Sequence, residues 1–209
     1  MLLIAPTFRR GNFIVGVLDM NEIEKSIEIF ERLRKFTYQI TIENGMEIVL
    51  RFSREHYHHL AGFQHLTDLK TICKPISKQK FYGDIKKGKI TLEWIEKSCQ
   101  YHFIQQRIAS FDVLEQILSS GSGKIIVEFD KNKTGSVIDA KFHLFHRSGN
   151  PFIGEAVYYT LFINCERNGV YYPVTYLVEH SNLYVREQTM YDCTIECLPL
   201  NRKKELVPL

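Results

Sequence analysis

The chain has no apolar run long enough to cross a membrane. Its longest are strand-sized, against the roughly 18–20 residues a span requires. Its opening also has the wrong order for an export signal. MLLIAPTFRRGNFIVGVLDM sets apolar residues before Arg9 and Arg10, then a second apolar patch, where a signal peptide needs charge first and an unbroken apolar stretch next. Cysteine is sparse and odd in number: Cys73, Cys99, Cys165, Cys193 and Cys197 are scattered, which predicts reduced thiols in a cytoplasmic setting rather than a disulfide framework or zinc knuckle. Internal repeats, low-complexity stretches and clear linkers are missing. What is present is ordinary globular composition, 209 residues with 44% hydrophobic and 12% aromatic. Such a chain buries a core without staples and is not disordered. A single domain over residues 1–209 is expected.

The patterning divides this domain into parts. Residues 1–19 read as an arm or strand. Asn21 with Glu24 forms a capping signal, and Ile23, Ile27, Phe30 and Leu33 recur at helical spacing, predicting a helix over 21–35. In TYQITIENGMEIVLRF, alternating apolar residues flank Asn44-Gly45, the strongest hairpin signal in the chain, so a hairpin is expected over 37–52. Ser53 is placed to cap a short helix through EHYHHLAGF, with Gly62 as a break. Thr91 opens another helix around Trp94, continuing or restarting through FIQQRIASFDVLEQIL. Residues 20–120 are therefore mainly helical. From Lys124 the period changes to two, and five strands follow over 124–198 with short turns between them, which dictates antiparallel pairing. The expected class is α+β: N-terminal helices and a β-hairpin packed on a C-terminal twisted antiparallel sheet of four to five strands. Pro173 in VYYPVTYLVEH predicts an edge or a bulge.

The net charge is only +3, but it is unevenly spread. Residues 70–89 hold seven of the 27 basic residues and one of the 24 acidic ones, a local +6, leaving 20 basic and 23 acidic residues elsewhere, or −3. Lysines interleaved with Phe81 and Tyr82 suit phosphates and unstacked bases, so Lys78, Lys80, Tyr82, Lys86, Lys87 and Lys89 are candidate RNA-binding residues. A solvated loop whose lysines only confer solubility is the plainer alternative. The segment SREHYHHLAGFQHL gathers His56, His58, His59 and His65, half of the eight histidines. No two lie four apart and HExxH is absent, so the expectation is no metal; His59, on a semi-apolar helix face, is the candidate proton carrier, since imidazole titrates near neutrality. A buried histidine that only donates to a carbonyl is the competing explanation. Arg107 falls inside the apolar stripe of Ile104, Ile108, Phe111, Leu114 and Leu118, where a guanidinium must be paired or face a ligand. It suits a phosphate gripped by two donors, or else a buried salt bridge.

SSGSGKI at 119–125 is not a phosphate loop. It lacks the glycine and hydroxyl of that pattern and runs from helix to strand, though Lys124 at the sheet entrance remains within reach of a phosphate. No Gly-x-Ser-x-Gly elbow or Cys/His nucleophile signature appears. Hydroxyls on the late strand, Tyr172 and Thr175 among them, suit phosphate oxygens.

The order HHLAGFQHL, FYGDIKKGKITLEWIEKS, QQRIASF and finally YYPVTYL, over roughly residues 20–190, resembles a phage- and mobile-element-associated family of Gram-positive bacteria grouped with the barnase–EndoU–colicin–RelE-like nucleases. That resemblance implies helices packed on a four-stranded antiparallel sheet and cofactor-free, metal-independent RNA cleavage by a toxin or conflict-system effector, with a neutralising immunity or antitoxin protein as partner. It places His59 at the family's histidine before the Leu-x-Gly step, Arg107 at the arginine of the Arg-Ile helix, and Thr175 at the late-strand hydroxyl. With Lys124 added from its position, the expected catalytic set is His59, Arg107, Thr175 and Lys124. Attack by the RNA 2′-hydroxyl would need no enzyme nucleophile. Two other readings stay open: a catalytically inert module that binds a host protein or nucleic acid, and a metal-dependent hydrolase built on the histidine cluster.

Overall fold

The computed structural model describes residues 20–149 and 155–200, so the predicted N-terminal arm, 1–19, lies outside the described residues. In chain order the elements are α1 (Glu22–Leu33), β1 (Phe36–Ile42), β2 (Glu47–Arg51), α2 (His56–Leu60), a 3-10 turn (Phe63–His65), α3 (Lys70–Cys73), α4 (Lys78–Lys86) and α5 (Leu92–Ile95). Then follow α6 (His102–Ala109), α7 (Phe111–Ile117), β3 (Gly121–Glu128), α8 (Lys131–Thr134), β4 (Phe142–Ser148), β5 (Val157–Cys165), β6 (Tyr171–Glu179) and β7 (Thr189–Pro199).

The local signals act as their chemistry dictates. Asn21 and Glu24 close a reciprocal capping box at 3.0 and 3.1 Å, and α1 buries Ile23, Ile27, Phe30 and Leu33 along one face. Gly45 turns the hairpin at φ +86°, a conformation open to glycine, and the flanking strands bury Tyr38, Ile40, Ile42, Ile48 and Leu50 on one side. Thr91 caps α5 through the Trp94 amide at 3.3 Å. Ser53 does not cap α2: Glu55 stands at that position without a side-chain bond, and the Ser53 hydroxyl turns to the Glu55 carboxylate at 3.1 Å.

The sheet differs from expectation. It is a closed barrel of seven strands in the order β1-β2-β6-β5-β4-β3-β7, not a sheet of four or five with a hairpin packed on it. The cause lies in β7, whose 11 residues pair with β3 along one edge and, over seven positions from Phe36↔Pro199 to Ile42↔Cys193, with β1 along the other. Unpaired strand edges are costly, and a hairpin with one apolar face satisfies both its edge and its face by joining the sheet. The ring closes at a thin seam, the parallel pairing of Leu50 with Tyr171. β6 carries the expected irregularity: the register jumps from Phe162↔Thr175 to Ile163↔Pro173, which accommodates a proline that cannot donate to the ladder.

The main core joins residues of α1, α2, α6 and α7 to Ile40, Leu144, Leu161, Tyr176 and Ile195 on one face of the strands. A second cluster on the other face joins Phe129, Phe162 and Leu177. Helices α6 and α7 restart at Ser110, where the Tyr176 hydroxyl donates to the Ser110 carbonyl at 2.9 Å and lies 3.1 Å from its hydroxyl. That bond pins the break to β6. Tyr176→Phe is expected to cost about 1–2 kcal/mol of stability, read as a lower urea midpoint at unchanged slope. An unchanged midpoint would mean that the α6–α7 corner holds without the bond.

Candidate functional site

A cleft of about 490 Å³ opens where the 3-10 turn, α6 and the end of β6 meet. Gly62 makes the junction possible. It sits at φ +84°, and a Cβ there would lie 2.9 Å from Ile104 Cγ2 and 3.1 Å from both Cδ and Nη1 of Arg107. Only a glycine leaves room for the guanidinium against the turn. Arg107 therefore lies against the turn, with Nη1 buried and, among the described residues, without a hydrogen-bond partner. Burial lowers its pKa, while the charge of Glu179 and the hydroxyl of Tyr184 act in the opposite direction. A guanidinium remains protonated in such a setting, so this is a fixed and partly desolvated positive charge facing the cleft.

His65 lines the same cleft, its Nε2 3.3 Å from the Gln64 amide nitrogen. Burial and the neighbouring charge of Arg107 both push its pKa down, favouring the neutral imidazole. His102 faces the cleft at the start of α6, with Nδ1 donating to the Cys99 carbonyl at 3.1 Å and its ring against Phe103. The Thr67 amide and hydroxyl both bond Gln100 Oε1, at 2.6 and 2.8 Å, and Asp68 accepts from the Ser98 hydroxyl and the Cys99 amide at 2.6 and 3.0 Å. These bonds fix the entry of α6. The cleft thus joins two imidazoles, one guanidinium and the Glu179 carboxylate.

The other histidines diverge. His59 does not line the cleft. Its Nε2 receives the Lys78 ammonium at 2.6 Å, and burial followed by that charge lowers its pKa to about 4. Its link to the cleft is Gln64, which interacts with His59 on one side and lines the cleft on the other. His58 is buried and donates Nε2–H to the Ile72 carbonyl at 2.7 Å, the plain structural use of an imidazole. His56 turns away to stack on Tyr172, with ring centroids 5.9 Å apart. Among the described residues no three His, Cys, Asp or Glu side chains are grouped to hold a metal ion.

The remaining sequence-predicted residues lie apart. Thr175 shares its face of β6 with Leu177 and the second cluster, opposite Tyr176 and the helices. Lys124 stands on β3, three strands from β6 around the ring, and its ammonium caps α7 by donating to the carbonyls of Gln116 and Ile117 at 2.9 and 3.2 Å. Tyr82 cannot meet a base: it is 1% exposed and donates its hydroxyl to Glu31 at 2.5 Å, because α4 turns its aromatic face into the core. Phe81 is buried beside it. Lys86 and Lys89 reach Glu31 and Asp84 at 3.5 Å, while Lys80 and Lys87 are exposed. Sequence reasoning missed Glu179 and His102 as site residues and passed over His65 in favour of its neighbour. Only the tertiary meeting of the 3-10 turn with the end of β6 distinguishes them.

A family model described as phage-Barnase-EndoU-ColicinE5/D-RelE like nuclease 4 matches residues 22–192. No curated protein and no solved structure matches the chain.

The histidines set a pH dependence of stability. Burial, as the leading cause, holds His56, His59 and His143 at about 4 and lowers His58 and His65, whereas an unfolded histidine titrates near 6.5. The unfolded chain takes up protons that the folded chain refuses, so stability is complete above about pH 6.5 and drains as pH falls toward 4. Urea midpoints should fall between pH 7.5 and pH 5, and Lys78→Met should raise the His59 pKa in an NMR titration. A flat midpoint would contradict the burial of these rings.

Proposed function

The chain belongs to this phage-associated nuclease family, and on that premise we propose that it is an RNA endonuclease whose reaction centre is the Arg107 cleft. The observation that supports this reading is the buried and unpartnered Nη1 of Arg107, in a cleft that also presents His65, His102 and Glu179. A partly desolvated guanidinium left one donor short gains most from an anion that arrives with oxygens, as a phosphodiester does.

The chemistry requires little more. The 2′-hydroxyl of the substrate attacks the adjacent phosphorus. The new bond is 2′-O–P and the broken bond is P–O5′, so the substrate supplies its own nucleophile and the reaction needs no metal ion. His65, held neutral, accepts the 2′-hydroxyl proton, and His102, when protonated, gives one to the departing 5′-oxygen. Arg107 takes up the charge that grows on the phosphoryl oxygens, and Glu179 balances it before substrate arrives. His59 and Lys78 act from behind, holding Gln64 at the cleft wall. Lys80, Lys86, Lys87 and Lys89 contribute to the field that attracts a polyanion. A protein that neutralised the enzyme would do so by covering this cleft. Among the described residues no helix is long and apolar enough to cross a membrane, and we assign the activity to cytoplasmic RNA.

Purified protein incubated with mixed RNAs in EDTA should yield fragments ending in 2′,3′-cyclic phosphate. Arg107→Ala is expected to lower the rate about 10²–10³-fold and His65→Ala about 10²–10⁴-fold. Neither should reduce the thermal midpoint much, since Arg107 Nη1 is buried without a hydrogen-bond partner among the described residues and His65 is exposed. RNA left intact at high enzyme concentration, or full activity in Arg107→Ala, would overturn the assignment.

A further inference from the structure

The lysine-rich segment reads differently once folded. Phosphate-and-base recognition by this strip depended on Phe81 and Tyr82, and both are turned inward at 3% and 1% exposure. What α3, α4 and α5 leave between them is a groove of about 450 Å³ whose apolar lining is Pro75, Ile76, Phe81, Ile90 and Trp94, with Asp84 its one carboxylate. Ile76 is wholly exposed, an unusual position for a branched apolar side chain that packs against nothing. Around this groove stand Lys70, Lys74, Lys80 and Lys89, all exposed at the surface. Among the described residues, Lys89 is the one of these four that reaches an acid, Asp84 at 3.5 Å.

From this arrangement we infer that the groove is a docking site for an acidic amphipathic segment of a partner protein, with apolar side chains in the groove and carboxylates on the surrounding lysines. Charge complementarity selects the occupant. This is the +6 stretch of a chain that is otherwise −3, so an acidic segment is drawn here and repelled elsewhere. Wall chemistry selects protein over nucleic acid. Bases need aromatic faces, and Trp94 is the sole exposed one in the groove, whereas aliphatic walls fit the anchors of an amphipathic helix. The groove shares no residue with the Arg107 cleft, so binding here and RNA cleavage there are separable.

Trp94 is the only tryptophan in the chain, which makes the groove directly observable by intrinsic fluorescence. A random displayed peptide library is selected on the full-length protein, and the enriched peptides are titrated against it. Expected are sequences combining Asp or Glu with Leu, Ile or Phe at helical spacing, which shift Trp94 emission to the blue. Ile76→Ser and the double variant Lys70→Glu/Lys74→Glu should each weaken them at least tenfold, and 0.5 M salt should weaken them as well. Both changes lie at exposed positions, so circular dichroism and RNA cleavage should match the parent chain. Enrichment of non-acidic peptides, no Trp94 response, or affinity unaffected by both variants would overturn the proposal. So would a 2′-O-methyl oligonucleotide that shifts Trp94 where the peptides do not, which would return the groove to RNA.

Discussion

Strand β7 is the constraint on which the rest of the structure depends. It pairs with β3 on one side and with β1 on the other, and so joins a hairpin from the beginning of the chain to a sheet built from its second half. Neither piece is stable in the geometry the other lacks: the hairpin alone exposes an apolar face, and the sheet alone exposes an edge. Once joined, the strands present one apolar face, and α1, α2, α6 and α7 pack on it in one continuous core. Because the ring meets at the single pair Leu50–Tyr171, β6 is bonded fully along only one edge. A proline and a bulge are tolerated there, and the strand's far end is free to present Glu179 to a cleft formed with α6 and the 3-10 turn.

Local chemistry was legible in the sequence where one element determines it. The Asn21–Glu24 box, the Asn44-Gly45 hairpin, the Thr91 cap and the Pro173 bulge each depend on neighbours within a few residues, and each formed. Barrel closure was not legible, because the period-two pattern of β1 and β7 says that each has a buried face but not that they share an edge. The same limit applies to the site. An arginine inside an apolar stripe is visible on a helical projection, and Arg107 does face a cleft. Which imidazole stands beside it is not visible. His59 and His65 are six residues apart, and the αL turn at Gly62 sends them in different directions, one to Lys78 and one to Arg107. The interleaving of Phe81 and Tyr82 with lysines misled for a related reason. In α4 the aromatics turn into the core while Lys80 and Lys86 stay exposed, so the side chains adjacent in sequence do not form one surface.

Charge placement follows the same division of labour. The lysines lie on α3, α4 and the loop after them, where the acids they pair with among the described residues are Glu31 and Asp84. Lys124 escapes this distribution because the C-terminus of α7 gives it carbonyls to cap, an interaction that uses its charge locally. The formal net charge therefore describes no surface that a partner meets.

Arg107 and His65 are best understood together. Desolvating a guanidinium without completing its hydrogen bonds is unfavourable to the free protein, and Gly62 adds the conformational cost of a residue with no side chain. Both costs fall on the resting state. An anion bound to Arg107 supplies the missing acceptor and cancels part of the positive field that lowers the His65 pKa. On the proposed mechanism, the affinity of His65 for a proton would then rise as negative charge accumulates on the phosphoryl oxygens. In the absence of anion, burial together with the Arg107 charge favours the neutral His65 imidazole. On the proposed mechanism, Arg107 would thus act on the base both before binding and during reaction, the kind of interaction that favours a transition state over a ground state.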